Sequence, residues 1–512
     1  MNESLRALIV VLALSLPVFW FLRRHITEFA TLPADYRLRV GLWLGLTVLL
    51  FVGHSFWLFV LGTALVLLTF GRSDSNALGL YFFLLLLAPP FRSAIEGFGG
   101  INRLLDIDYL RLLSLVVLFP AALRLRARAG APVFALPADK YLLAYLGLQL
   151  VLAYQISSLT DVIRTAVVLG IDVLLPYYVF SRGLIDAGRM RDTFASFVCA
   201  GAVVALMAVF EAGKGWLLYA SLPEALNVHW SYGGYMFRDS ALRPLVSTGH
   251  SIYLGYVMTA ALGIHMAMLP AFASRRVWVA VFLLLLAGVA VPLARGPWVG
   301  ALAMLAVAAL MAPNAKAIYA KVLVGAIVLV PILMATPLAP KIIALLPFVG
   351  EYDAGSVDYR QQLFKASWNV LMMNPVFGSP YYMTDGSMES MRQGEGIIDM
   401  VNSYMGIALS SGLVGLAFFL GVFASSAGRI WRHIWTQNDK SSEDHIVGRA
   451  LLATLVGVLA TIATVGSENA VPVVYWCLAG ACAAYARRSQ VGLEGSSRTT
   501  GEAPGRPTSA RA

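Results

Sequence analysis

Residues 277–312 read VWVAVFLLLLAGVAVPLARGPWVGALAMLAVAALMA, and Arg295 is the one charged residue among them. Two apolar runs, 277–294 and 296–312, meet at that arginine, and each approaches the ~20 residues a helix needs to cross a bilayer. Runs of this kind recur along the chain. Of its 512 residues 59% are hydrophobic and 13% charged, with a mean hydropathy of +0.74, which removes it from the range of soluble globular domains. Backbone groups in hydrocarbon must be hydrogen-bonded within a helix or around a closed barrel, and the runs show no period-2 alternation. The expected fold is an all-α integral membrane protein, a polytopic bundle of roughly 12–15 transmembrane helices. One large extracytoplasmic loop containing an amphipathic helix interrupts it.

The formal net charge of +10 is placed as an orientation signal. Lys and Arg gather in short loops at segment ends: Arg23 and Arg24, Arg124 to Arg128, Arg189 and Arg191, Arg275 and Arg276, Arg429 and Arg432, Arg487 and Arg488. That is the positive-inside pattern, and it calls for no nucleic-acid partner. With those loops in the cytoplasm, 1–212 holds the N-terminal helices, 213–248 is an outer connection and 249–336 holds the central helices. Residues 337–401 then form the large periplasmic loop, 402–488 the C-terminal helices, and 489–512 a disordered cytoplasmic tail rich in Gly, Ser, Thr, Arg and Pro. The turns at Ala294-Arg295-Gly296 and Ser467-Glu468-Asn469 also face outward. Cys199, Cys477 and Cys482 lie in apolar segments without metal-ligand or disulfide spacing, so they read as packing residues. Residues 5–22 lack the basic start and small-residue cleavage site of a signal peptide.

The 337–401 segment is the long polar interruption, holding Arg360, Lys365, Asp385, Glu389, Arg392, Glu395 and Asp399. Tyr359 to Met373 reads as a helix behind Gly355-Ser356-Val357-Asp358, with Leu363, Phe364, Trp368, Leu371 and Met372 at roughly helical spacing. Asn374-Pro375 ends it, and a polar stretch from Gly378 to Gly396 follows. A helix and loop of this kind suit a lid lying along the outer surface.

Three arginines share that side: Arg243, Arg295 and Arg360. An arginine beside hydrocarbon normally has a partner or a function. Guanidinium groups match phosphate oxygens bidentately at any relevant pH, so their convergence would make a pyrophosphate site. Snorkelling or a carboxylate partner is the structural alternative. His250, where a helix re-enters the membrane, reads either as a base or phosphate ligand, or as a capping residue. Asp106 and Asp108 form an Asp-x-Asp pair, a pattern that holds divalent cations but more often marks a first helical turn. Asp399 is the best-placed loop carboxylate for deprotonating an acceptor hydroxyl, because Val401-Asn402-Ser403-Tyr404 follows at the membrane entry. The sequence has no Gly-x-Ser-x-Gly, His-Glu-x-x-His or Gly-Lys phosphate loop, so serine hydrolase, zincin and P-loop readings have no support.

Together these motifs resemble the bacterial O-antigen polymerase and ligase family over about residues 240–425. Arg243 to Gly255 is similar to the family's arginine-to-glycine segment, and Ala294-Arg295-Gly296-Pro297-Trp298-Val299-Gly300 to its Ser-Arg-Gly-x-Trp-x-Gly element. Tyr359-Arg360 through Trp368, then Asn374-Pro375-Val376-Phe377-Gly378, resembles its arginine-led helix and Pro-x-Phe-Gly exit. Asn402-Ser403-Tyr404 with Gly412-Leu413-Val414-Gly415 resembles the return to the membrane. The resemblance implies a glycosyltransferase at the periplasmic face of the inner membrane, joining glycans carried on undecaprenyl pyrophosphate without a metal or other cofactor. Arg295 and Arg360 would contact the pyrophosphate, assisted by Arg243, with Asn402 and Tyr404 as further substrate contacts. A flippase and a chain-length regulator are the implied pathway partners.

Ligase members commonly carry a histidine before the asparagine of the return motif. Here that position is Val401, so the role of base falls to Asp399 or His250, or to no dedicated group. The departure favours a polymerase of O-antigen, capsule or exopolysaccharide repeat units over a ligase. A lipid-linked glycan flippase would instead predict cationic residues along a central cavity and internal repeats.

Overall fold

The computed structural model describes residues 3–97, 99, 102–127, 136–155, 157–184, 186–228, 234–238, 240–272, 274–334, 336, 354–392, 398, 400–437 and 439–499. Helices α1 (Glu3–Phe29), α2 (Pro33–Val52), α3 (Phe56–Thr69) and the short α4 (Ala77–Leu84) come first, followed by a hairpin of β1 (Arg92–Glu96) and β2 (Arg103–Asp108). α5 (Tyr109–Leu113) and α6 (Phe119–Ala127) are joined by a π-helical turn. So are α8 (Leu159–Leu169) and α9 (Leu175–Gly183), with α7 (Pro137–Tyr154) between the two pairs. α10 (Ala187–Lys214) leads through α11 (Leu222–Ala225), β3 (Phe237–Arg238) and β4 (Ala241–Leu242) into α12 (Ser251–Ala267). α13 (Arg275–Ala290), α14 (Arg295–Leu310) and α15 (Ala315–Met334) follow, and then α16 (Ala354–Met373) and α17 (Gly386–Glu389). The chain closes with α18 (Ser403–Thr436), α19 (Glu443–Ile462) and α20 (Ala470–Thr499).

The protein is the expected all-α polytopic membrane protein. Among the described residues 7 helices are long and apolar enough to cross a membrane, and α12 and α14 are shorter apolar helices. Two details depart from the sequence reading. The apolar run at 77–91, whose composition predicts a helix, is helical only to Leu84, because Pro89-Pro90 cannot continue a helix, and the chain turns into the β1–β2 hairpin. Helical backbone also continues to Thr499, inside the segment assigned to the tail. Residues 337–353 and 500–512, with Glu395 and Asp399, lie outside the described residues.

Burial separates centre from rim. The apolar windows of α10 and α20 are 83% and 89% buried, whereas that of α3 is 28% buried and leaves Leu61 and Leu65 outward. In lipid such side chains meet hydrocarbon, so helices are held together by close packing and polar contacts instead of a hydrophobic drive. α14 lies against α19 on that principle. A Cβ at Gly300 would stand 1.9 Å from Thr461 Oγ1 and 2.6 Å from the Gly457 carbonyl, and one at Gly296 would stand 1.9 Å from Thr464 Oγ1. α12 crosses α14 where a Cβ at Gly255 would come within 2.8 Å of Pro297. The glycines of the Arg-Gly-Pro-Trp-Val-Gly motif are therefore the contact surface that fixes the start of α14.

A buried ionic cluster pins the opposite end of the bundle. Arg39 donates to Asp74 Oδ1 and Oδ2 at 2.7 Å each, to Asp192 Oδ1 at 2.7 Å and Oδ2 at 2.9 Å, and to Ser196 at 2.7 Å. Thr31 and Asn76 add donors to Asp192 at 2.6 and 2.8 Å. Arg191 pairs with Glu443, and Asp444 with His433 and Arg488, at the same end. Because Arg39 is fully buried, Arg39→Ala leaves two carboxylates without their shared cation. The expected loss is about 3–5 kcal/mol of stability, read as a lowered thermal unfolding midpoint in detergent. A midpoint within a degree or two of wild type would refute it.

Candidate active site

The end of the bundle away from Arg39 carries the α13–α14 turn, the β3–β4 hairpin, α16 and the α19–α20 turn. Arg295 is the first residue of α14, half-buried, at a helix N-terminus where exposed N–H groups favour anions. Trp298 Nε1 ties that first turn to Val289 of α13 at 3.0 Å. The β3–β4 hairpin lies over the same turn: Arg243 Nε donates to the Pro292 carbonyl at 3.0 Å, and Arg238 to the Leu293 carbonyl. Arg243 and Arg238 thus both reach the turn that leads into Arg295. A lone arginine in a polar connection carries no sequence signal of its own.

His250 takes the structural member of its two readings. It is the N-cap of α12, and its Nδ1 accepts from the Ile252 N–H at 3.1 Å. Burial, and then the charge of Arg243, push it down to about 4, so the ring is neutral at ordinary pH. With Nδ1 held by the cap, the proton of a neutral ring sits on Nε2, which suits a hydrogen-bond donor better than a base. The ring lies 5.1 Å from that of Tyr253, whose hydroxyl donates to Glu468 Oε2 at 3.2 Å.

The return motif stitches the loop to the α19–α20 turn. Asn402 caps α18 by accepting from the Tyr404 and Met405 N–H groups at 3.0 and 3.2 Å. Ser403 Oγ donates to the Val465 carbonyl at 2.6 Å and meets Ser467 Oγ at 2.8 Å. Tyr404 points its hydroxyl at the Leu459 carbonyl, 2.7 Å away, and so toward α19. Arg360 is exposed on α16 and lines a crevice of about 130 Å³ with Asn402 and Thr464. Gly296, next to Arg295, packs on the same Thr464 that lines the Arg360 crevice. Asp399 lies outside the described residues.

α16 is apolar on two faces, where one was expected. Leu363, Ala366, Val370 and Leu371 bury against Met388, Met405, Ala408 and Leu409. Phe364 and Trp368, stacked at 6.3 Å, are 52% and 48% exposed, with Met372 beside them. Its exit is locked into α18. Regular helical hydrogen bonding fails at Gly412 (φ 68°, ψ −174°), and the Pro375-Val376-Phe377-Gly378 backbone fills the break. Leu413 and Val414 N–H donate to the Pro375 and Val376 carbonyls at 2.8 and 3.2 Å, while the Leu409 carbonyl accepts from Ser379 at 2.7 Å.

Beside this region, a cavity of about 640 Å³ opens between the β1–β2 hairpin, α5 and the α19–α20 turn. Asp108 is in its wall but caps α5, accepting from the Arg111 N–H at 2.9 Å, the first-turn role weighed against a metal site. Asp106 pairs with Arg103 at 3.3 Å. Arg111 clasps both oxygens of Asp172, at 2.8 to 3.1 Å.

The fold is that of a polytopic helical membrane protein that carries Arg238, Arg243, Arg295 and Arg360 at one end of its bundle, with α16 docked there. Residues 280–420, from α13 into α18, match the family model described as O-Antigen ligase, a match that supports a protein of the O-antigen ligase/polymerase kind. That family is one of glycosyltransferase-like enzymes. The match includes Arg295, Arg360 and Asn402 and begins after Arg243 and His250. No curated protein matches the chain.

Proposed function

We propose that the protein is a polysaccharide polymerase. It joins oligosaccharide repeat units carried on undecaprenyl pyrophosphate at the periplasmic face of the inner membrane. The observation that carries this reading is that Arg243 and Arg295 stand at the α13–α14 turn, Gly296 of that turn packs on Thr464, and Arg360 lines a crevice with Thr464, inside or next to the family match. When the glycosidic bond to the pyrophosphate breaks, negative charge grows on the leaving oxygen. Cations held rigidly at a helix N-terminus stabilise that charge more than the ground state. Arg295 and Arg360 would hold the pyrophosphate from two sides, with Arg243 behind Arg295. Asn402 and His250 serve chiefly by capping α18 and α12, which positions the return motif and the arginine segment. Phe364 and Trp368 suit a helix resting on the outer leaflet, where the polyprenyl chain of the donor emerges.

The ligase reading keeps the same donor site and differs in acceptor. It has the family model's description in its favour, while Val401 in place of a histidine favours the polymerase. Purified protein in liposomes, given lipid-linked oligosaccharide extracted from the producing cells, is expected to yield longer lipid-linked glycan and free undecaprenyl pyrophosphate in proportion. Transfer only to a non-prenyl acceptor supports the ligase. Glycan that crosses the bilayer without lengthening sinks both readings in favour of transport.

A further inference from the structure

The cavity of about 640 Å³ beside the β1–β2 hairpin has no part in the arginine site, yet shares a wall with it. Its lining pairs donors with acceptors: the guanidinium groups of Arg92, Arg103 and Arg111 alternate with carboxylates, and Ser93, Ser467 and Asn469 supply neutral groups. Pro90, Leu110 and Pro472 give it apolar floor. Sugar hydroxyls each donate and accept, and sugar rings present C–H faces, so this lining is complementary to a glycan rather than to an anion alone. Its volume of about 640 Å³ lies within the usual range for a small-molecule site.

The shared wall is the α19–α20 turn. Thr464, on the Arg360 side, touches Gly296; Ser467, Glu468 and Asn469, on the other side, line the cavity. Glu468 stands between the two sites. It receives the Tyr253 hydroxyl at 3.2 Å, and Tyr253 in turn packs on His250, which lies in the field of Arg243. On the loop side its charge reaches Tyr382, whose phenol is raised first by burial and then by Glu468. Of the carboxylates in the lining, Asp172 is clasped by Arg111, Asp108 caps α5 and Asp106 pairs with Arg103, all on the hairpin and α5 side, while Glu468 belongs to the shared turn. We propose that this cavity holds the acceptor glycan, and that Glu468 takes the proton of the attacking hydroxyl.

The inference rests on the glycosyltransferase reading above. The acceptor O–H gives its proton to the Glu468 carboxylate. The oxygen's electron pair forms the new bond to the donor's anomeric carbon, and the C–O bond to pyrophosphate breaks, its pair leaving on the lipid pyrophosphate. Positioned acid–base groups contribute about 10²–10⁴-fold to such steps.

The test uses full-length protein in nanodiscs, lipid-linked repeat unit from the producing cells, and the acid-released free oligosaccharide of that repeat as the binding probe. Glu468→Gln, which keeps the shape and the Tyr253 contact, is expected to lose about hundredfold or more in elongation. It should hold the free oligosaccharide within about threefold of wild type by saturation-transfer NMR. Ser93→Trp, which fills the cavity, is expected to weaken oligosaccharide binding about tenfold or more. Elongation by Glu468→Gln within about threefold of wild type overturns the base assignment, as does a loss of rate matched by an equal loss of binding. Unchanged binding in Ser93→Trp overturns the cavity assignment. If wild type elongates in an Arg360-dependent way while these outcomes fail, the inference alone falls; if wild type elongates nothing, the polymerase reading falls and takes the inference with it.

Discussion

Arg295→Ala and Arg360→Ala should each cut elongation by about 10²–10³-fold, or roughly 2.7–4 kcal/mol of transition-state stabilisation, the usual effect of deleting one preorganised donor. The loss should fall mainly on kcat, because the charge these groups meet is largest once the glycosidic bond is breaking. Arg295→Lys should recover only part of it: lysine restores the charge but not the planar fork that spans two phosphate oxygens. The two positions differ in what else they disturb. Arg360 is exposed on α16, so its replacement should leave the thermal midpoint unchanged. Arg295 starts α14 between the Gly296–Thr464 contact and the Pro292–Leu293 turn, and a small fall in midpoint is expected there. The double variant should lose less than the product of the single losses, because both groups act on one leaving group. Full elongation by either folded single variant would remove that residue from the site.

Which parts of this site were legible in the chain follows from how local their physics is. Arg295 stood out because a charge between two spanning-length apolar runs has few innocent explanations. The amphipathic pattern from Tyr359 to Met373 survives as α16, since periodicity is a property of the segment itself. Its second apolar stripe was read into a single face, because spacing alone does not say which stripe finds protein and which is left outward. The β1–β2 hairpin was invisible as strand: its two short runs, Arg92–Glu96 and Arg103–Asp108, are edged by charges and carry little alternation. Glu468 was legible only as one residue of an outer turn. Its meaning comes from Tyr253, 215 residues away in the chain, and from the cavity wall opposite. Asn402 reads in sequence as a substrate contact and His250 as either a base or a cap, and in the structure both cap helices. The residue types that bind phosphate or move protons are also those that satisfy helix N-termini, and only coordinates separate the two uses.

The same limit applies to Gly412, which in sequence is only a glycine of the return motif and in the structure is a backbone device. Gly412→Val is expected to destabilise the protein by more than about 3 kcal/mol, and Gly412→Ala by somewhat less. Two independent terms lead there. The residue sits at φ 68°, ψ −174°, a region that only glycine occupies without strain. A Cβ would also stand 2.0 Å from the Val376 carbonyl oxygen, and that neighbour is backbone with no rotamer through which to yield. Gly378 meets the same break from the loop side, with φ 69° and a Cβ position 2.4 Å from the Leu409 carbonyl, so Gly378→Ala should behave alike. Because the Leu413 and Val414 N–H groups donate to Pro375 and Val376, forcing the chains apart breaks hydrogen bonds as well as contacts. The damage should be specific: α16 loses its tether to α18, and Arg360 loses its fixed distance from the Arg295 turn. Thermal melts should show the lowered midpoint, and limited proteolysis should cut residues 379–392 faster than in wild type. Gly406, in the same helix, is the control. A Cβ there meets only Met400 Cγ at an ordinary 3.5 Å, so Gly406→Ala should be neutral or up to about 1 kcal/mol stabilising. If Gly412→Val melted with wild type while Gly406→Ala did not, the break in α18 would not be where the loop is held.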